Sequence, residues 1–184
     1  MSQEDQRPTI GFVGLGVMGT PMVSHLHGHG YIVTLNDLQH EHTEALAARL
    51  GAGARAVRTP REVAQASDIV ITMLPHGGVV QSVTFGPDGL AAGFRPGSLL
   101  LDTSSAEPWL TKDTAARLAE QGVSVVDAPV SGAQWGAEAA NLVFMVGGSA
   151  EDLARVQPVL RCMGPSIFHL GPLGAGHSMK CINN

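Results

Sequence analysis

The sequence predicts an α/β fold, a doubly wound and mostly parallel sheet wrapped by helices, and three observations carry that prediction. Short β-branched runs alternate with Ala-rich, helix-forming stretches along all 184 residues, the pattern of parallel strands joined by helical crossovers. A glycine cluster, Gly14-Leu15-Gly16-Val17-Met18-Gly19, separates the first apolar run from the first helical stretch. An acid, Asp37, closes the second apolar run 18 residues past Gly19.

Taken in order, Thr9 to Val13 reads as the first strand, followed by a helix from about Met18 to His29 that Gly30 ends. Ile32 to Asn36 is the second strand. Thr59-Pro60-Arg61-Glu62 combines an N-cap Thr, a Pro at the first helical position and a Glu three residues after the cap, so a helix starts there. Further strands are expected at Ile69 to Met73, Leu99 to Asp102, Val123 to Val126, Leu142 to Val146 and Ile167 to Leu170. Helices are expected from Pro108 to Gln121 and from Ala150 to Met163, the second capped by Ser149. Repeats and low-complexity linkers are absent.

The length suits one compact unit, and the 44% hydrophobic content is enough for a core. A net charge of -5 with no basic run argues against a nucleic-acid binder, which needs clustered Lys and Arg. The two cysteines, Cys162 and Cys181, make neither a disulfide framework nor a metal pattern, so a reduced, cytoplasmic setting is expected. The polar, acidic start fits neither a secretory nor a transit peptide, and no apolar run is long enough to span a bilayer. His25, His27 and His29 share no helix face with carboxylates and read as surface or packing residues, with no metal site expected.

Each glycine of the cluster has a physical job. Gly14 permits the tight turn out of the strand, Gly16 lets backbone approach a pyrophosphate, and Gly19 lets the helix pack closely on the sheet. The helix that opens there points unpaired N–H groups and its positive dipole end at the same place. With Leu15, Val17 and Met18 between them, these residues form the dinucleotide-binding turn of a Rossmann-type unit. The Asp37 carboxylate accepts hydrogen bonds from ribose hydroxyls and repels a 2'-phosphate, which favours NAD over NADP. Leu38-Gln39-His40 after it offers no arginine, although His40 and His42 would soften that preference if protonated. Read without a ligand, Asp37 is a helix-capping residue.

Two later segments complete a resemblance that runs nearly the whole chain in order. They are Asp127-Ala128-Pro129-Val130-Ser131-Gly132 and the stretch Gly171-Pro172-Leu173-Gly174-Ala175-Gly176-His177-Ser178-Met179-Lys180-Cys181-Ile182-Asn183-Asn184. With the glycine cluster they resemble the β-hydroxyacid dehydrogenase family, to which 3-hydroxyisobutyrate dehydrogenase belongs. The resemblance implies hydride transfer between NAD and a small 3-hydroxy acid, such as 3-hydroxyisobutyrate or glycerate. It implies that Met73-Leu74-Pro75 covers the adenosine half of the cofactor and that Ser105 contacts the nicotinamide side, whereas the bland reading has Ser104 or Ser105 capping the helix at Pro108. It implies that Ser131 and Gly132 bind the substrate carboxylate, as anions are held where several donors converge. The sequence departs from the family at Ala133 and Ala140, where glycines are usual, and at Trp135, a large residue in a glycine-rich loop.

The resemblance makes Lys180 the general base, needed because a hydroxyl must lose its proton as a hydride leaves its carbon. Asn184, four residues on and therefore on the same helix face, holds the substrate hydroxyl or fixes the lysine. Alone, Lys180 reads as a solvated charge at a helix end; Gly171, Gly174 and Gly176 at the family spacing tell against that. The expected division is a dinucleotide-binding domain over 1–173 and the start of an interdomain helix over 174–184, with a helical C-terminal domain absent. A homo-oligomer is expected only where that domain is present. Two other readings stay open: a truncated cofactor-binding fragment without turnover, and an imine reductase relative, which Lys180 tells against.

Overall fold

Runs of four residues buried on both sides belong inside a sheet covered by helices on each face, and they lie there in the computed structural model of the chain, which describes residues 7–183. The first half consists of β1 (Ile10–Val13), α1 (Gly19–Gly28), β2 (Val33–Asn36), α2 (His40–Leu50), β3 (Ala54–Ala56), α3 (Pro60–Gln65) and β4 (Ile69–Thr72). The second half adds α4 (Gly77–Phe85), a single 3-10 turn (Leu90–Ala92), β5 (Leu99–Asp102), α5 (Pro108–Ala119) and β6 (Ser124–Asp127). It closes with β7 (Val130–Ser131), α6 (Ala133–Glu138), β8 (Val143–Gly147), α7 (Ala150–Arg161), β9 (Ser166–Gly171) and α8 (Ala175–Asn183).

The sheet runs β3-β2-β1-β4-β5-β6, with every pair parallel. From β1 the chain winds outward to β3, then returns to the other side of β1 with β4. That reversal is the switch point, where a crevice opens at the carboxyl ends of the strands. β8 runs antiparallel to β6 and β7, with Asp127 opposite Gly147 and Ser131 opposite Val143, and β9 lies parallel beside β8. Alternation along the strands fills two cores. Ile69, Ile71, Leu99 and Leu101 join one cluster with residues of α1 and α7, while Val70 and Leu100 join the other with residues of α3 and α5.

The expected strands and helices are present with ends shifted by a residue or two, and β4 stops at Thr72 instead of Met73. The Thr59 capping box forms as written, with Thr59 Oγ1 accepting from the Glu62 amide and Glu62 accepting from the Thr59 amide. Ser149 likewise accepts from the Asp152 amide at the start of α7. Neither Ser104 nor Ser105 caps α5, whose N-cap is Glu107.

Five elements were not expected: α2, β3, α4, β7 and α6. α4 opens on Gly77-Gly78, poor helix formers, and its first amide is capped from outside, Gly77 N–H donating to Glu107 Oε2 at 3.1 Å. α6 corrects the reading of Trp135 as a loop residue. It stands on a helix, 68% exposed, because Gly132 at φ +135° and Ala133 at φ +52° turn the chain sharply into one.

Candidate functional site

At the switch point the turn after β1 is built as the glycine spacing requires. Gly14 has φ +100°, and a Cβ there would strike the Met73 carbonyl of the neighbouring strand end. A Cβ on Gly19 would strike the Gly14 carbonyl, so α1 can only approach this closely with glycine there. A Cβ on Gly16 would meet nothing within 4 Å. Open space therefore lies beside the glycine-rich turn at the start of α1, whose Thr20 and Met22 amides are taken by the Gly16 and Met18 carbonyls, so the turn itself faces that space. These residues fit a pyrophosphate group.

The turn is held by both backbone polar groups of one residue. Leu15 N–H donates to Asp37 Oδ2 at 2.8 Å. The Leu15 carbonyl accepts from Thr20 Oγ1 at 2.8 Å and from His42 Nε2 at 2.9 Å. Asp37 Oδ1 also accepts from the Gln39 amide, so the acid braces the turn as well as standing beside it. Two acceptor bonds leave lone pairs on both oxygens for ribose hydroxyls. Val17 is 66% exposed and Leu38 fully so, apolar surface flanking the cradle. A solvent-open cleft of about 620 Å³ runs along the turn between α1, α2 and α6, with Asp37, His42 and Arg49 among its lining.

The next two strand ends are stitched by buried polar groups. Thr72 Oγ1 donates to Asp102 Oδ1 at 2.9 Å, and Ser104 Oγ accepts from the Leu74 amide at 2.9 Å. Ser105 follows, exposed, at the mouth of the crevice. Asp127, at the end of β6 and buried, accepts from the Gly174 amide at 2.7 Å and the His177 amide at 2.8 Å. It thus caps the N-terminus of α8 from another element. Burial pushes its carboxyl above the ordinary value; the two amides and the His177 ring offset part of that rise.

α8 starts beside Gly147, where a Cβ would crowd Asp127 and the Ala175 amide, and next crosses Met145, whose carbonyl a Cβ on Gly176 would strike. The first turn of α8 therefore packs directly on the end of β8, beside Asp127. Lys180 lies on this helix, half-buried, and among the described residues it makes no ion pair. Ser131 is exposed and Gly132 half-buried beside it. Asn184 lies outside the described residues.

The structure thus gathers Gly14, Leu15, Gly16, Val17, Met18, Gly19 and Asp37 at one turn, sets Met73 and Leu74 against Gly14 with Pro75 following, and anchors α8 to Asp127. Sequence reading weighed His42 only as a charge near a 2'-phosphate and missed its bond to the turn, and it missed Thr111 and His177 altogether, because their partners lie 27 to 73 residues away and no local spacing announces them. His25 proves to be a packing residue that links α1 to the carbonyls of Ala137 and Glu138. Among the described residues no group of three metal-ligating side chains occurs, and no helix is long and apolar enough to cross a membrane.

Residues 9–171 match the family described as the NAD binding domain of 6-phosphogluconate dehydrogenase. The chain is 43% identical over 175 residues to 2-(hydroxymethyl)glutarate dehydrogenase of Eubacterium barkeri, covering 95% of this chain and 57% of that protein. It is also 43% identical to the NAD-dependent L-serine dehydrogenase of Pseudomonas aeruginosa, with 95% and 58% covered. Among solved structures, the Mycobacterium tuberculosis 3-hydroxyisobutyrate dehydrogenase with L-serine superposes with a TM-score of 0.86 at 37% identity, covering 97% of this chain and 59% of that one. The chain thus spans well under two thirds of the length of these relatives.

Proposed function

The chain belongs to the family of NAD-binding domains of 6-phosphogluconate dehydrogenase, and from that membership we propose that it serves an oxidoreductase moving a hydride between NAD and a small 3-hydroxy acid. The observation that carries the reading is the anchoring of α8, the helix of Lys180, to Asp127 at the end of β6, in the same row of parallel strands whose β1 end forms the glycine cradle. Relatives named for hydroxymethylglutarate, L-serine and 3-hydroxyisobutyrate support the substrate class.

A nicotinamide ring, when bound, supplies the hydride acceptor or donor. The protein's own residues do the rest. The backbone of the turn around Gly16 and the positive end of α1 hold the pyrophosphate, and Asp37 holds the ribose hydroxyls, so NAD is favoured over NADP. Leu74 and Pro75 border the adenosine side and Ser105 the nicotinamide side. The Ser131 hydroxyl and the Gly132 amide hold the substrate carboxylate. The Lys180 amine takes the hydroxyl proton at its Nζ as the carbonyl forms, and returns it in the reverse direction. Asn184 steadies that hydroxyl.

The test is turnover with NAD and 3-hydroxyisobutyrate, L-serine or glycerate, followed by NADH absorbance. Lys180→Ala is expected to lower kcat roughly 100-fold or more, the usual worth of positioned proton transfer, with NADH affinity little changed. Lys180→Arg should fail almost as badly, since a guanidinium stays protonated. Ser131→Ala should act mainly on KM. Retention of most activity by Lys180→Arg would make Lys180 a charge that anchors substrate and would send the proton elsewhere.

A further inference from the structure

His177 is fully buried, yet the chemistry above gives its imidazole nothing to do. Its Nε2 lies 2.9 Å from the Ser104 carbonyl, and a carbonyl can only accept, so Nε2 carries the hydrogen and donates it. In the neutral ring Nδ1 is then the acceptor, and the Thr111 hydroxyl donates to it at 2.7 Å. The His177 amide meanwhile donates to Asp127. One residue of α8 is thereby bonded to the segment after β5, to α5 and to the end of β6. Asp102 and Asp127 carboxyl oxygens stand 3.9 and 3.8 Å from the ring nitrogens, outside hydrogen-bond reach.

We propose that His177 is a positioning residue, which together with Thr111 and Asp127 fixes the rotation and advance of α8 and so sets where Lys180, one turn further on, stands. The proposal rests on the proton-transfer reading of Lys180 for its consequence and on the hydrogen bonds alone for its geometry. Lys180 comes three residues after His177, close to the same helix face, so a rotation of α8 that breaks either ring bond also swings the amine. An apolar side chain would fill the same space without fixing a rotation. A buried ring satisfied at both nitrogens tolerates one orientation, since any other strands polar atoms away from water.

The test uses Thr111, which touches neither substrate nor cofactor in the proposed site. Thr111→Val deletes the hydroxyl at nearly constant volume, and Thr111→Ser restores it. His177→Gln keeps a donor toward Ser104 and loses the acceptor for Thr111. Two readouts are independent of turnover: amide hydrogen exchange across Ala175–Asn183, and the rate at which acetic anhydride acetylates Lys180, followed by mass spectrometry. Thr111→Val and His177→Gln should speed exchange in α8 and alter the Lys180 acetylation rate while leaving exchange in α1 unchanged, and Thr111→Ser should reverse both effects. In turnover, Thr111→Val should lower kcat about 10-fold or more, the scale set by ångström misplacement of a reacting group, with the NADH dissociation constant little changed. Unchanged α8 exchange and kcat in Thr111→Val would overturn the proposal. So would a parallel loss of kcat and NADH affinity that Thr111→Ser fails to restore, because that is the mark of general destabilisation. If Lys180→Ala turns over normally, the proton-transfer reading fails instead, and the anchoring stands or falls on exchange and acetylation alone.

Discussion

Ala133 and Ala140 both sit at φ +52°, in the left-handed region where a Cβ crowds the following carbonyl. That crowding costs an alanine roughly 1–2 kcal/mol, whereas glycine in the same place forfeits only about 0.4–1 kcal/mol through its freer unfolded chain. The first effect is the larger. Ala133→Gly and Ala140→Gly should therefore each raise the free energy of unfolding by about 0.5–1 kcal/mol, measured as a higher urea midpoint at constant slope. A lower midpoint in either variant would mean that local packing of the methyl outweighs the backbone term. Both positions are where the sequence departs from the glycines usual in the family it resembles. Ala133 bears directly on the site, because it is the first residue of α6 after Ser131 and Gly132.

At the level of elements, α8 depends on a cap that no local pattern supplies. Asp127 lies about 50 residues earlier and accepts the Gly174 and His177 amides from within the fold. Its carboxyl is pushed up by burial, so the folded chain still holds this proton at pH values where the unfolded chain has released it. The contribution of Asp127 to stability is then largest below the unfolded pKa and declines as pH rises through the folded one. Asp127→Asn removes that titration. The stability difference, parent minus variant, should accordingly shrink from acid toward neutral pH in urea titrations; a difference that grows would show that the two amide bonds outweigh burial. The same contrast explains what was legible beforehand. α3 and α7 could be read because Thr59 and Ser149 cap them within three residues. α4 and α6 could not, because Glu107 caps one across 30 residues and a left-handed turn opens the other. In the site, the glycine turn and Asp37 were readable from spacing, whereas His42 and His177 act on atoms that only the tertiary fold brings near.

For the whole molecule, the cofactor cradle joins the strand ends β1, β2 and β4 with the helices α1 and α2, so occupancy couples to the stability of the entire sheet. A ligand that binds only the folded chain adds about 2.7 kcal/mol at a hundred times its dissociation constant. For a chain of this size that corresponds to a rise in melting temperature of roughly 5–10 °C. NADH should produce such a rise, and on the proposed role of Asp37 in holding ribose hydroxyls, NADPH at equal concentration a smaller one. Asp37→Ala should shrink the difference between the two cofactors and also reduce the NADH shift itself, for the mutation takes away the acceptor of the Leu15 and Gln39 amides. That double effect separates the two jobs of the residue. If selectivity narrows while the NADH shift is fully kept, Asp37 acts on the cofactor alone and the glycine turn holds its shape through Thr20 and His42. If equal concentrations of NADH and NADPH shift the unmodified chain equally, the preference for NAD is wrong, and the basic side chains of the adjoining cleft, His42 and Arg49, become the groups to examine for a 2'-phosphate.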